Sequence, residues 1–127
     1  MLRPIALSSL LILLPSLVQA QDQPIAVYFE PLKGGEFTRL NKAIADALSQ
    51  PPLRLETRPG PHTVVIAVPD KVDVQHKKVS GTFYDFTVAF SRDGRSLGES
   101  QQSCGLETLS ECSDQIVLDV KSVAAPR

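Results

Sequence analysis

The hydrophobic positions of this chain change period several times, and each change marks an element. In PIAVYFEPL, residues 24–32, Ile25, Val27 and Phe29 alternate with Ala26 and Tyr28. Both faces are apolar, the pattern of a strand inside a sheet. KGGE follows as a loop, and EFTRLNKAIADALSQ then repeats at helical spacing. Phe37, Leu40, Ile44, Ala47 and Leu48 fall on one face, with Arg39, Asn41, Lys42 and Asp46 on the other. Gly34 or Gly35 serves as N-cap, and Glu36 suits the positive first turn. Pro51-Pro52 ends the helix because neither proline can continue the hydrogen-bond ladder. LRLETR returns to alternation, PGPH turns, and TVVIAV (63–68) is β-branched and apolar on both faces, which predicts a central strand. In PDKVDVQHKKVSG, Val72 and Val74 share a phase that Val79 breaks, so a bulge or a loop between two short strands is expected.

The clearest local signal is GTFYDFTVAFSRDGRSLGESQQSC. Tyr84, Phe86, Val88 and Phe90 alternate on one face, leaving Asp85 on the outward one. Asp93-Gly94 is a hairpin turn pair, since glycine accepts positive φ without steric cost. The returning strand, Ser96 to Ser103, is polar and contains Gly98, which places it near the sheet edge. From Glu107 to Val123 the spacing is helical again, with Leu109, Cys112, Ile116, Val120 and Val123 on one face. Strand, helix, several strands, helix is an α+β plan: a two-layer sandwich of a mostly antiparallel sheet with both helices on one face. The aromatic stripe Tyr84, Phe86, Phe90 then belongs to the core under the helices, because so few aromatics are available to fill it.

The N-terminus changes what the cysteines mean. MLRPIALSSLLILLPSLVQAQ has one cation, Arg3, an apolar run from Ile5 to Val18, and small residues ending at Ala20. That is the layout of a secretory signal peptide, too short and proline-interrupted for a spanning helix. Residues 1–20 are therefore read as removed and 21–127 as a single mature domain with no membrane anchor after cleavage, located in the periplasm or secreted. In an oxidising compartment the two cysteines, Cys104 and Cys112, read as a structural disulfide. Only His62 and His76 could join them around a metal, and the spacing is not that of a C-x-x-C redox pair, so neither a metal nor a cofactor is expected. Formal net charge is −1 over the whole chain and more negative once Arg3 is removed, with signs interspersed. Such a balance does not attract nucleic acid or an anionic membrane.

PIAVYFEPLKGGEFTRLNKAIADALSQ resembles the first strand-helix unit of small bacterial envelope domains of the TolB N-terminal, CsgG and LpoB type. TVVIAV…KVSGTFYDFTVAFSRDGRSLGES is similar to their central hairpin, where a glycine follows a buried strand. The resemblance spans most of the mature chain as a hydrophobicity pattern. It implies a protein-contact or scaffolding domain of the envelope, although this chain has its own disulfide and lacks the adjoining propeller or lipid anchor.

Candidate chemistry is sparse. The loop Lys33, Gly34, Gly35 combines a cation with flexible backbone at a helix start, yet it lacks the spacing of phosphate-wrapping motifs. His62 and His76 have no marked nucleophile or orienting carboxylate, and no serine lies in a G-x-S-x-G context. A cluster of His62, an aspartate and a serine would revive a hydrolase. The leading expectation is a non-enzymatic, exported interaction module, a monomer or weak oligomer whose partner is another envelope protein. Its contact is expected at the edge strand, where Gly98, Ser100, Gln101 and Gln102 are small or polar and neither lysine nor proline guards the edge. The alternative is a small-ligand binder with a pocket near Lys33 to Glu36.

Overall fold

The computed structural model describes residues 23–125, and the expected signal peptide, residues 1–20, lies outside them. In chain order the elements are β1 (Ile25–Phe29), a 3-10 turn (Gly35–Phe37), α1 (Thr38–Leu48), β2 (Leu53–Leu55), β3 (Val64–Ala67), β4 (Asp73–Lys77), β5 (Gly81–Arg92), β6 (Arg95–Gly105), a second 3-10 turn (Leu106–Thr108) and α2 (Leu109–Ala124). The architecture is α+β, with six strands in one sheet and two α-helices among the described residues.

The sheet is mixed and, as expected, mostly antiparallel: three of its five strand pairings run antiparallel and two run parallel. β1 runs parallel to both neighbours, pairing Val27 with Leu55 on one side and with Val64 on the other. The cause is α1. A helical crossover returns the chain to the end of the sheet from which it left, so the next strand starts in the same direction. Only the half built around β5 is antiparallel, where hairpin turns rather than helices make the connections.

β5 organises that half. Along one side β6 pairs from Phe83 to Arg92. Along the other, β3 takes residues 89–92 and β4 takes residues 81–85, end to end. Between Ala67 and Asp73 the chain advances six residues while β5 advances four, from Ala89 to Asp85, so two extra residues are pushed out. That excursion resolves the out-of-phase valines: Val72 is its last residue and is buried, whereas Val79 sits in the β4–β5 turn. The Asp93-Gly94 turn has positive φ at both residues, 52° and 79°, the geometry that matches strand twist in a two-residue hairpin. β6 carries a bulge near this turn. Ser91 faces Ser96 but Phe90 faces Gly98, with Leu97 as the extra residue. Gly98 has φ +140°, a conformation that a side chain would strain.

Cross-strand register shows where the core sits. Ile66 faces Phe90, Tyr84 faces Cys104 and Phe86 faces Gln102, and all six are buried. Partners in register share a face, so this face of the sheet is covered. The residues covering it are Phe37, Leu40, Ile44 and Leu48 from the first helical segment and Cys112, Ile116 and Val120 from α2, in one continuous cluster. Both helices therefore pack on one face. Each fully buried leucine or isoleucine there contributes about 1.5–3 kcal/mol of burial free energy. Tyr84 joins the layers: its ring meets Phe37 edge-on at 5.8 Å, and its hydroxyl donates to the Glu36 carbonyl at 3.2 Å. The opposite face, including Tyr28, Val65, Asp85 and Thr87, is only half-buried.

Candidate functional site

β6 forms one edge of the sheet: among the described residues its only strand partner is β5. It is eleven residues long, Arg95 to Gly105, and contains neither lysine nor proline. Alternation decides what it presents. Glu99, Gln101 and Ser103 are exposed, and Gln101 accepts a hydrogen bond from the Thr87 hydroxyl at 2.9 Å on the open face. Gln102 differs from the expectation of a side chain open to a partner. It is 5% exposed and turned into the core layer. Its amide donates to Ser100 Oγ at 3.1 Å and to Asp119 Oδ2 at 3.0 Å. The physical reason is the strand's period of two, which puts Gln102 on the same face as buried Cys104. Gln102 thereby anchors β6 to α2, while the backbone edge and the Gln101 side chain remain outward.

The disulfide closes the same junction. Cys104 ends β6, Cys112 lies in the first turns of α2, and the two are bonded with Cα atoms 5.4 Å apart. Both are buried, at 0% and 6% exposure, so the bridge sits inside the core rather than at a reactive surface.

The Lys33-Gly34-Gly35 loop borders a cleft. Leu32, Lys33, Glu36 and Phe37 form one wall and Asp70 to Val74 the other, enclosing about 580 Å³. The second wall is the excursion between β3 and β4, so the cleft exists because two extra residues interrupt that strand line. Gly34, φ +120°, makes the turn into the helical segment possible. The loop is also braced from behind. Asn41, expected on the solvent face of α1, is half-buried and clamps the Leu32 backbone, accepting from its N–H and donating to its C=O, both at 2.9 Å. Two lysines and three carboxylates on the rim, over Phe37 and Val72, give the cleft mixed charge on an apolar floor.

His62 does find a carboxylate. Its backbone N–H donates to Asp93 Oδ1 at 3.0 Å, and its ring Nδ1 lies 3.2 Å from Asp93 Oδ2. This ties the β2–β3 loop to the tip of the β5–β6 hairpin. The amide bond from His62 is the main cause holding the Asp93 carboxyl below its ordinary value, with the imidazole and Arg92 acting in the same direction. The pair orients an imidazole as a catalytic dyad would, yet His62 is 88% exposed and lies outside the Lys33 cleft. The sequence separation of 31 residues hid this pairing from any local reading. His76 is exposed and faces Thr82 Oγ1 at 3.1 Å, a cross-strand contact of the β4–β5 hairpin. Asp85 points outward, accepting from the Gln75 amide at 2.7 Å. Among the described residues no group of three or more His, Cys, Asp or Glu is placed to hold a metal, and no helix is long and apolar enough to cross a membrane.

No protein-family profile matches the chain. No curated protein matches it in sequence. Among solved structures it is similar to a minor lipoprotein from Acinetobacter baumannii, at 12% identity over 76% of this chain and 92% of that one, with a TM-score of 0.43. It is also similar to a proposed lipoprotein from Caulobacter crescentus CB15, at 12% identity over 80% of this chain and 92% of that one, with a TM-score of 0.48. Neither is described as belonging to the TolB, CsgG or LpoB groups. Likeness at this level carries no argument about what the chain does.

Proposed function

We propose that this chain is an exported, non-catalytic contact module that takes an extended segment of another envelope protein along the β6 edge. The observation carrying the reading is an eleven-residue edge strand with one side unpaired among the described residues and no lysine or proline in it. Unpaired backbone donors and acceptors are a template for an added strand, and natural edges of this length are normally blunted. The bulge at Gly98 twists only the end near the turn, and the run from Glu99 to Ser103 stays regular. The signal-like N-terminus and the buried disulfide support an oxidising compartment. The exposure of His62 speaks for a structural rather than a catalytic dyad.

A second reading, small-ligand binding, is favoured by one observation: the Lys33 loop does border a cleft. A single experiment separates the two. A photo-crosslinking residue is placed at Gln101 or at Lys33 in cells, and adducts from the envelope fraction are compared. The edge reading expects a discrete protein adduct from position 101. It also expects that adduct to be lost in one of the two variants Ser100→Pro and Gln101→Pro, with the crosslinker moved to Ser103. Successive N–H groups point to opposite sides of a strand, so one of these prolines removes an outward donor and the other a ladder donor. No adduct from the edge positions, or one insensitive to both prolines in folded protein, would sink the edge reading. An adduct from position 33 alone would shift the assignment to the cleft.

A further inference from the structure

The β4–β5 hairpin ends in a feature that the edge and the cleft do not explain. Lys77 pairs with Gly81, leaving Lys78, Val79 and Ser80 as the turn. β6 stops at Gly105, opposite Phe83, so the hairpin continues past its neighbour and projects from the sheet. Val79 is 100% exposed, the most exposed large hydrophobic side chain among the described residues. Lys77 and Lys78 are both exposed directly behind it, and the Lys77 ammonium sits 5.0 Å above the Phe83 ring. Between residues 74 and 84 there is no acidic residue. Asp73 and Asp85 lie four residues back along each strand, roughly 13 Å at the usual rise, beyond the Debye length of about 10 Å at 0.1 M salt. Along its own two strands the tip is thus cationic although the chain's net charge is negative, the nearest acid on a neighbouring element being Glu107 in the 3-10 turn that packs beside Phe83.

From this arrangement we propose that Lys77–Ser80 is a peripheral contact for an anionic phospholipid surface. The order of groups decides the partner. An apolar side chain at the extremity with cations immediately behind it matches the depth profile of a bilayer surface, acyl region first and headgroup phosphate second. A soluble polyanion would satisfy the lysines but give Val79 nothing to enter. Two lysines and one valine make a weak, reversible attachment, far below a lipid anchor. While so attached the molecule is oriented tip-down, and the β6 edge, whose strand ends beside the hairpin, keeps its length free for a partner.

The test uses the mature chain with its disulfide intact, phosphatidylglycerol-containing vesicles and pure phosphatidylcholine vesicles. Co-sedimentation is expected only with the anionic vesicles and is expected to fade as salt rises. Lys77→Gln and Lys78→Gln should each weaken it by about fivefold. An environment-sensitive dye on Val79→Cys should shift to the blue on anionic vesicles, whereas the same dye on Leu118→Cys, a 58% exposed site on α2, should not. Equal binding to both vesicle types, binding indifferent to the two lysines, or an unshifted dye at position 79 overturns the proposal. Binding to heparin that matches vesicle binding and is unchanged by Val79→Ser would assign the tip to a soluble polyanion instead. All four positions are exposed turn or helix-surface sites, so the variants should keep the fold.

Discussion

At the scale of single residues, Asp93 holds two jobs. It supplies a positive-φ turn position and receives the His62 amide and ring from a loop 31 residues away. Its carboxyl is held low chiefly by the His62 N–H, which bonds better to the charged form. The sign of the pH dependence follows. A depressed folded-state pKa contributes stability that is complete above the unfolded value of about 3.9. That contribution is lost as pH falls through the lower folded value. Acid unfolding followed by circular dichroism should show this loss below pH of about 4, and Asp93→Asn, which keeps the turn preference and an acceptor for His62, should remove that part of the pH dependence. An unchanged acid profile in the asparagine variant would mean that the pair contributes nothing in solution. The turn itself was readable from the dipeptide Asp93-Gly94 because its φ values are a local requirement. The partner was not, because nothing in PGPHT specifies which distant carboxylate arrives.

Elements show the same division. The core faces of α1 and α2 follow from helical period alone, and Leu40, Ile44, Ile116 and Val120 are buried as that period requires. The junction between β6 and α2 is fixed more tightly than period implies, by the Cys104–Cys112 bridge and by Gln102 bonded to Asp119. The bridge closes a short loop, with a sequence separation of 8. Constraining such a loop in the unfolded chain is worth about 2.5 kcal/mol. A Cys104→Ala/Cys112→Ala double variant should lose about that much in urea denaturation, while its Cys-free core remains apolar. A loss near zero would mean that helix packing alone fixes the junction. Non-reduced mass spectrometry of exported protein should show the bond, two hydrogens lighter than the dithiol.

For the whole molecule, the sheet order predicts a gradient of protection. β1, β3 and β5 each lie between neighbours, while among the described residues β2, β4 and β6 each have a single strand partner. Amide exchange should therefore be slowest in Val64–Ala67 and in the stretches of β5 paired on both sides, Phe83–Asp85 and Ala89–Phe90. Along Glu99–Ser103 slow and fast amides should alternate, since every second N–H faces outward. Uniform protection of that strand in the isolated protein would show that its outer side is already paired, by a second copy of the chain, and would remove the ground for a hetero-partner there.

Sequence by itself determined the elements, the faces the helices bury and the hairpin turn. Each depends on interactions within one turn, one strand or one short loop, where period and dihedral preference are strong. Tertiary structure alone decided the parallel pairing of β1 with β2 and β3, the two-residue excursion that opens the cleft, the inward anchoring of Gln102 and the His62–Asp93 tie. These depend on which strand a crossover lays beside which, and on the exact register along β5. Alternation states that a strand has two faces. Only its neighbours state which face meets the core, and that choice turned Gln102 inward while leaving Gln101 to the solvent.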